Sequence, residues 1–246
     1  MFKDSIQLVK HSIFPLFYYG QNGPQSSFGV LGTGFFIDDE GHFLTAEHVI
    51  KAKAPGQHFG YAGNVPLVKV AGAGFTAVKI LALDASKDLA LGKVEIGALP
   101  PLKFATTDAV IGESIGLCGY PMPMIKPSSI LEKAGAQAKM KLNLDVTSVR
   151  QYWQPTIKMD SIRKGLLYNK TFKSFITQHS ALPGMSGGPV FNLAGEIVGL
   201  TSANWTRKVQ RNSQLHTNVE NGIAVDLQEI QHFLSVHLNK QRIGQA

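Results

Sequence analysis

Cysteine is almost absent from this sequence. Cys118 is the only one in 246 residues, so the chain cannot form an internal disulfide. It lies in the apolar stretch Gly116–Gly119, which predicts a buried small side chain rather than a reactive thiol. Because disulfides persist mainly in oxidising compartments, their absence favours a reducing one. We therefore expect the protein to be cytoplasmic.

Long apolar runs are lacking as well. No stretch reaches the roughly 20 apolar residues that a membrane-spanning helix needs. The first twenty residues carry Asp4, Lys10 and His11 where a secretory signal would be continuously apolar. No cluster of His, Cys, Asp and Glu has the spacing of a metal site. The sequence therefore predicts no membrane partner, no metal and no organic cofactor.

Charged residues are few and unevenly distributed. They make up 17% of the chain against 44% hydrophobic residues, which is enough to build a core. The net charge is +7, and the segment Pro121–Phe175 alone has ten Lys or Arg against three Asp or Glu. Such a basic segment attracts nucleic acid, an anionic membrane or an acidic protein, or it is an ordinary solvated surface.

Short apolar or alternating runs recur along the whole chain, and turn residues such as Asp38–Gly41 and Asn192–Gly195 separate them. Many short strands at this spacing are typical of an all-β sandwich or barrel. Asp226 and Glu229 resemble a capping box, and apolar residues follow at helical spacing, so a helix is predicted at 226–240. A weaker helix is predicted at 4–13.

The stretch ALPGMSGGPVFN, from Ala181 to Asn192, surrounds one serine with glycine and proline. It is either a surface turn or the frame of the nucleophile Ser186. The motif also matches the G-x-S-x-G elbow of α/β-hydrolases. That class is disfavoured, because two glycines after Ser186 oppose the helix that the elbow needs, and few residues remain for an acid and then a histidine.

Two further motifs precede this serine. His48 lies in the motif LTAEHVI at Leu44–Ile50, at the end of an apolar strand, and Asp88 begins the strand-like stretch Asp88–Leu91. The order along the chain is therefore His, Asp, Ser. Asp84 is a nearby rival for the acid, but the sequence DLAL favours Asp88.

In this order the motifs resemble those of chymotrypsin-fold, trypsin-like serine proteases, and most closely the bacterial HtrA-like group. Three more motifs carry the resemblance: GTGFFID at Gly32–Asp38, GYP at Gly119–Pro121 and GIAV at Gly222–Val225. The resemblance implies an all-β fold of two antiparallel six-stranded β-barrels with a C-terminal helix. We expect a single peptidase domain over 1–246, without the PDZ domain of such relatives. Its N-terminal barrel is expected at about 1–103, its C-terminal barrel at about 104–225 and its helix at 226–240.

The resemblance also implies the chemistry. His48 would take the proton of Ser186, and Asp88 would orient the imidazole. The backbone N–H groups of Gly184 and Ser186 would form the oxyanion hole. Met185 stands where digestive relatives carry an Asp that pairs with a newly released N-terminus, so activation by that route is not expected.

The substrate pocket is predicted from Ser180, Thr201, Ser202 and Ala203. By resemblance Ser180 lies at the base of the S1 pocket, where an Asp would favour Arg or Lys at P1. Thr201 stands where glutamate-specific relatives carry a histidine, and Ala203 leaves the mouth of the pocket open. We therefore expect an uncharged P1 residue, small or medium and apolar.

The predicted function is a serine endopeptidase that acts on protein or peptide substrates. The alternative is a basic binding module for nucleic acid or an acidic protein, with proteolysis secondary. Nucleic acid is the less favoured partner, because aromatics such as Tyr152 and Trp153 in the basic segment can equally fill the second barrel. Without the N-terminal pairing we expect low basal activity, and an activating protein partner or oligomer that acts through Pro121–Phe175.

Overall fold

Strands make up most of the secondary structure in the described residues. The computed structural model describes residues 1–22, 25–51, 65–69, 74–95, 99–122, 140–153, 157–159, 168–170, 173–210 and 216–243. Its helices are Phe2–Val9, followed by a 3₁₀ turn at Lys10–Ser12, the short Glu47–Lys51, and Leu227–Ile243 at the C-terminal end. Among the described residues, none of these helices has the length and apolarity that crossing a bilayer requires.

The first sheet contains seven antiparallel strands in the order β5-β4-β1-β2-β3-β7-β6. These are β1 (Ile13–Asn22), β2 (Gln25–Phe36), β3 (His42–Thr45), β4 (Val65–Lys69), β5 (Phe75–Ala77), β6 (Lys79–Asp84) and β7 (Leu89–Lys93). Only Val78 separates β5 from β6, so the two edges of the sheet meet at this buried residue. Where a six-stranded barrel was predicted, the structure therefore has a half-barrel sheet of seven strands.

The second sheet is a closed barrel of six strands in the order β12-β15-β14-β13-β8-β9. These are β8 (Ser114–Gly119), β9 (Asn143–Trp153), β12 (Ser174–Thr177), β13 (Pro189–Phe191), β14 (Ile197–Gln210) and β15 (His216–Asp226). Strands β10 (Ile157–Met159) and β11 (Tyr168–Lys170) form a separate hairpin. The predicted chymotrypsin-like fold class is confirmed.

One apolar core joins the two barrels. Aromatic rings fill its first part, where Phe14 lies 4.4 Å from Phe36 and 5.3 Å from Phe43 between ring centroids. The same cluster includes Cys118 and Leu200, which belong to strands of the second barrel. The shared core therefore packs strands of the first barrel against strands of the second.

The C-terminal helix covers Leu227–Ile243, so it begins one residue later and ends three residues later than predicted. Asp226 caps it, since its Oδ1 accepts the Glu229 N–H at 2.9 Å. The Glu229 carboxylate does not complete a capping box. It accepts instead the backbone N–H of Lys173 at 3.0 Å, which ties the helix to the second barrel. The first helix spans Phe2–Val9 rather than 4–13.

Candidate active site

His48 and Asp88 meet because their strands are neighbours. His48 lies in the short helix that follows β3, and Asp88 directly precedes β7, which pairs with β3. Both carboxylate oxygens of Asp88 are 3.0 Å from His48 Nδ1, and Oδ1 also accepts the His48 backbone N–H at 3.1 Å. The Asp88 side chain is fully buried, whereas 27% of the His48 side chain is exposed. The imidazole is thus fixed on one side and open on the other.

The backbone of Asp88 is unusual. Its φ of 59° makes it the one non-glycine residue with positive φ in the part of the chain that the structure describes. The preceding turn is organised by Asp84, whose Oδ1 accepts the N–H groups of Ser86 and Lys87 at 2.9 and 3.1 Å. The rival carboxylate is therefore used within its own turn, and it is Asp88 that contacts His48.

Ser202 also contacts Asp88. Its hydroxyl donates to Asp88 Oδ2, and both side chains are buried. The sequence analysis placed Ser202 in the substrate pocket. The pairing of β14 with β15 shifts register between Thr201 and Ala203, so Ser202 occupies a bulge. A bulge re-aims a side chain relative to the strand alternation, and the Ser202 hydroxyl is directed towards Asp88. The predicted place of Ser202 in the substrate pocket remains a prediction.

The loop around Ser186 is packed too tightly for side chains. A Cβ at Gly187 would lie 2.1 Å from Thr45 Oγ1, and one at Gly188 would lie 2.1 Å from the Cys118 carbonyl oxygen. Gly187 also has φ +83°, which L side chains rarely adopt. These glycines let the Ser186 loop lie against Thr45, three residues before His48. The glycine-rich stretch is thus a close contact between the barrels and not a free surface turn.

The peptide groups beside Ser186 have a defined orientation. The Pro183 carbonyl accepts the Met122 N–H at 2.7 Å, and the Ser186 carbonyl accepts the Thr33 N–H at 2.9 Å. Within the described residues, the N–H groups of Gly184 and Ser186 donate to no protein acceptor. These two donors, predicted to form the oxyanion hole, are free to bind a substrate oxygen.

Ser186 itself is half-buried. In the described part of the chain no hydrogen bond joins its hydroxyl to His48, although the Ser186 loop lies against Thr45 and Ala46, just before the helix that carries His48. Gly32 lies between these loops, because a Cβ there would be 2.8 Å from the Ser186 carbonyl oxygen and 2.7 Å from Val49 Cγ2. Contacts between nucleophile and base are often long in unliganded enzymes and shorten in the substrate complex.

The other predicted pocket residues lie in two chain segments, one at Ser180 and one at Thr201–Ala203. Ser180 is half-buried, and its hydroxyl is 3.4 Å from Glu220 Oε2. Thr201 is 2% exposed, and its buried hydroxyl oxygen has no partner among the described residues. Ala203 is half-buried, and the exposed side chain of the following Asn204, which was not predicted from the sequence, connects the two segments. Its amide accepts the Ala181 N–H at 2.8 Å and donates to the Ala181 carbonyl at 2.6 Å.

Much of the basic segment Pro121–Phe175 falls outside the described residues: 123–139, 154–156, 160–167 and 171–172. Tyr152, which is described, packs on Phe175 with 5.8 Å between ring centroids, and its hydroxyl donates to the Ala109 carbonyl. Tyr152 therefore packs in the second barrel, which was the alternative to a role in stacking on nucleic-acid bases. Burial raises the pKa of the Cys118 thiol to about 12, so this cysteine is a buried apolar residue.

Comparison with known proteins defines the class. Residues 32–200 match the family of trypsin-like peptidase domains, so the chain belongs to this family. A relative from Chlamydia trachomatis, named "Probable periplasmic serine endoprotease DegP-like", is 28% identical over 185 residues, which are 74% of this chain and 30% of the relative. One of the same name from Pseudomonas fulva is 28% identical over 76% of this chain and 32% of its own length. The chain thus spans about a third of these relatives.

Solved structures agree on the fold. An HtrA-type protease, AlgW, in complex with a decapeptide matches 97% of this chain and 68% of its own, with a TM-score of 0.65 at 15% identity. The active form of the Rv3671c protease from M. tuberculosis matches 94% of this chain and 82% of its own, with a TM-score of 0.62 at 20% identity.

The family match and the relatives confirm the predicted resemblance to HtrA-like, trypsin-like serine proteases. The predicted cytoplasmic location is contradicted, since the relatives are named as periplasmic. That prediction rested on the absence of disulfides, which does not identify the compartment. An oxidising compartment permits disulfides but does not require them when a large core stabilises the fold.

Proposed function

We propose that this chain hydrolyses peptide bonds in protein or peptide substrates through a triad of His48, Asp88 and Ser186. The observation that carries the proposal is the buried carboxylate of Asp88 at 3.0 Å from His48 Nδ1. An ionised carboxylate only accepts hydrogen bonds, so the proton of a neutral imidazole resides on Nδ1. The Nε2 lone pair is then available on the open side of the ring.

The reaction follows from this tautomer. His48 Nε2 takes the hydroxyl proton as Ser186 Oγ attacks the scissile carbonyl carbon. The resulting oxyanion accepts hydrogen bonds from the free N–H groups of Gly184 and Ser186. The imidazolium, held by Asp88, then protonates the leaving amine and the acyl-enzyme forms. Water, deprotonated by the same nitrogen, attacks the ester, and the acid product leaves with Ser186 restored.

The decisive experiment is labelling with a fluorophosphonate probe. Wild type should react at Ser186, and Ser186→Ala should not. Ser86→Ala is the matched control, because Ser86 is an exposed serine whose hydroxyl donates to the rival carboxylate Asp84 at 2.6 Å. Equal labelling of wild type and Ser186→Ala, or loss of labelling in Ser86→Ala, would contradict the proposed triad.

We further propose that the P1 residue is small and uncharged. The two hydrogen bonds between Asn204 and Ala181 hold the Asn204 amide beside Ala181, the residue after Ser180. A side chain at that position shortens the space left for a P1 group. Glu220 is the nearest acid to Ser180, but it is exposed, and solvent therefore screens its charge.

A peptide library that varies only P1 tests this specificity. Ala or Val at P1 should give the highest kcat/KM, and Asn204→Gly should shift the preference towards Leu and Phe. Glu220→Gln should leave the ranking unchanged. A preference for Lys or Arg that disappears in Glu220→Gln would show that Glu220 sets the specificity instead.

The names of the relatives also support a site of action outside the cytoplasm. We propose that the protein works in the periplasm, as those names state for the relatives. Fractionation of cells that express the full natural protein tests this. Recovery with periplasmic marker enzymes is expected, and recovery with cytoplasmic markers alone would contradict it.

A further inference from the structure

Thr33 connects the first barrel to the loop of the nucleophile. It lies in β2 and is fully buried. Its strand partner is Pro15, which has no backbone N–H to donate. The Thr33 carbonyl accepts a hydrogen bond from the Thr45 hydroxyl at 2.7 Å. The Thr33 N–H donates to the backbone carbonyl of Ser186 at 2.9 Å. The backbone of this residue is thus directed towards the active site.

The hydroxyl of Thr33 makes a second connection. Thr33 Oγ1 accepts the Tyr120 N–H at 2.9 Å and lies 2.8 Å from the carbonyl oxygen of Gly184. An N–H can only donate, so the single hydroxyl proton is left for the Gly184 carbonyl, which can only accept. The direction of both hydrogen bonds is therefore fixed, from Tyr120 through Thr33 to Gly184.

This contact fixes one side of Gly184, and Met122 fixes the other. The Met122 N–H holds the Pro183 carbonyl at 2.7 Å. A peptide group is planar and trans, so the N–H of Gly184 points away from Met122. With the carbonyls of Pro183 and Gly184 both held, Gly184 keeps its φ of +95° and its N–H stays free. Without such ties a glycine samples many conformations, and some of them turn a carbonyl oxygen into the hole.

We infer that Thr33 is a positioning residue for the oxyanion hole: its hydroxyl holds the Gly184 carbonyl and so, together with Met122, keeps the Gly184 N–H in the orientation that catalysis needs. This inference rests on the proposed peptidase function. Losing one donor of an oxyanion hole lowers kcat about 10²- to 10³-fold. Loosening one donor should cost less, about 10- to 100-fold.

Three variants test the role of the hydroxyl. Thr33→Val keeps the shape and removes the hydroxyl, whereas Thr33→Ser keeps the hydroxyl. Ser12→Ala is the matched control, because Ser12 is also fully buried and its hydroxyl donates to the Pro100 carbonyl. We expect Thr33→Val to lower kcat with little change in KM and to weaken a peptide aldehyde inhibitor in proportion. Thr33→Ser should retain most of the activity, and Ser12→Ala should lower Tm without lowering kcat of the folded enzyme.

A second measurement does not depend on activity. In protein labelled with ¹⁵N-glycine, the Gly184 amide resonance should shift and broaden in Thr33→Val and remain unchanged in Ser12→Ala. An unchanged Gly184 resonance in Thr33→Val, or equal kcat losses in Thr33→Val and Thr33→Ser, would overturn the inference. An inactive wild type with a Gly184 resonance that still responds to Thr33→Val would refute the proposed function alone.

Discussion

Lys87 and Glu229 form an ion pair with 2.7 Å between Nζ and Oε2. The contact joins the residue that precedes Asp88 to the first turn of the C-terminal helix. About a fifth of each side chain is exposed, so solvent screens the pair only in part. The same carboxylate accepts the Lys173 N–H from the second barrel. Glu229 is thus the point at which the helix holds the Asp88 turn and the second barrel together.

We predict that Glu229→Gln lowers the free energy of unfolding by about 0.5–1 kcal/mol, because it removes the charge and keeps an acceptor for Lys173. Glu229→Ala should cost about 1–2 kcal/mol more, since the buried N–H loses its partner. Urea unfolding of both variants, with Lys87→Met in a double-mutant cycle, measures the coupling. Exposed Glu95 offers the control Glu95→Gln, which should change little. A coupling of zero at low salt would contradict the role of this pair.

The positive φ of Asp88 leads to a second prediction. Asp88→Asn should lower kcat about 10⁴-fold near neutral pH, because the amide stabilises the wrong imidazole tautomer. Asparagine tolerates positive φ better than alanine does, so Asp88→Ala should be the less stable variant. Kinetics and thermal unfolding of both separate chemistry from strain. Asp84→Asn should keep kcat within about threefold, and a loss as large as that of Asp88→Asn would reassign the acid.

The residues of the proposed triad could be selected from the sequence because each lies in a local pattern. Ser186 has its glycines, His48 follows a buried strand, and Asp88 precedes one. The roles of Ser202 and Thr33 were not predictable. The partners of these two hydroxyls lie 114 and 151 residues away in the chain, and no local pattern encodes such contacts. The side-chain direction of Ser202 further depends on a bulge that only strand pairing creates.

In the fold, too, local patterns were predictable and long-range contacts were not. Alternating strands and turn residues predicted an all-β chain, and the motifs added the two barrels. The break between β5 and β6 falls at Val78. The sequence has no glycine or proline at this position to indicate it. The capping box failed for a tertiary reason, since Lys87 and Lys173 hold the Glu229 carboxylate. The proposed switch through the basic segment remains a prediction.

Met185 provides a third prediction. It is fully buried in the apolar cluster of the second barrel, and the Asn143 amide lies 3.8 Å from its sulfur. Met185→Asp should lower the free energy of unfolding by several kcal/mol, because it buries a carboxylate without a cation. Met185→Leu conserves volume and should cost less than about 1.5 kcal/mol. Equal stabilities in urea would show that a cationic group reaches this site, as in proteases that are locked by their N-terminus.

The last prediction concerns Cys118. Burial raises the pKa of its thiol from an ordinary value near 9 to about 12. The folded protein therefore keeps this proton at pH values where the unfolded chain releases it. Between pH 9 and 12 unfolding releases a proton, so stability falls as the pH rises. Cys118→Ala has no thiol proton to release on unfolding. Its free energy of unfolding should therefore fall less steeply over the same pH range.

Iodoacetamide provides the companion measurement for Cys118. The native protein at pH 8 should resist alkylation, because the thiolate is rare and the sulfur is fully buried, whereas the protein in urea should react at once. Proteolysis should survive Cys118→Ala, since no step of the proposed reaction uses the thiol. Rapid alkylation of the folded protein with loss of activity would instead identify Cys118 as a nucleophile, and equal pH slopes for the two proteins would refute its raised pKa.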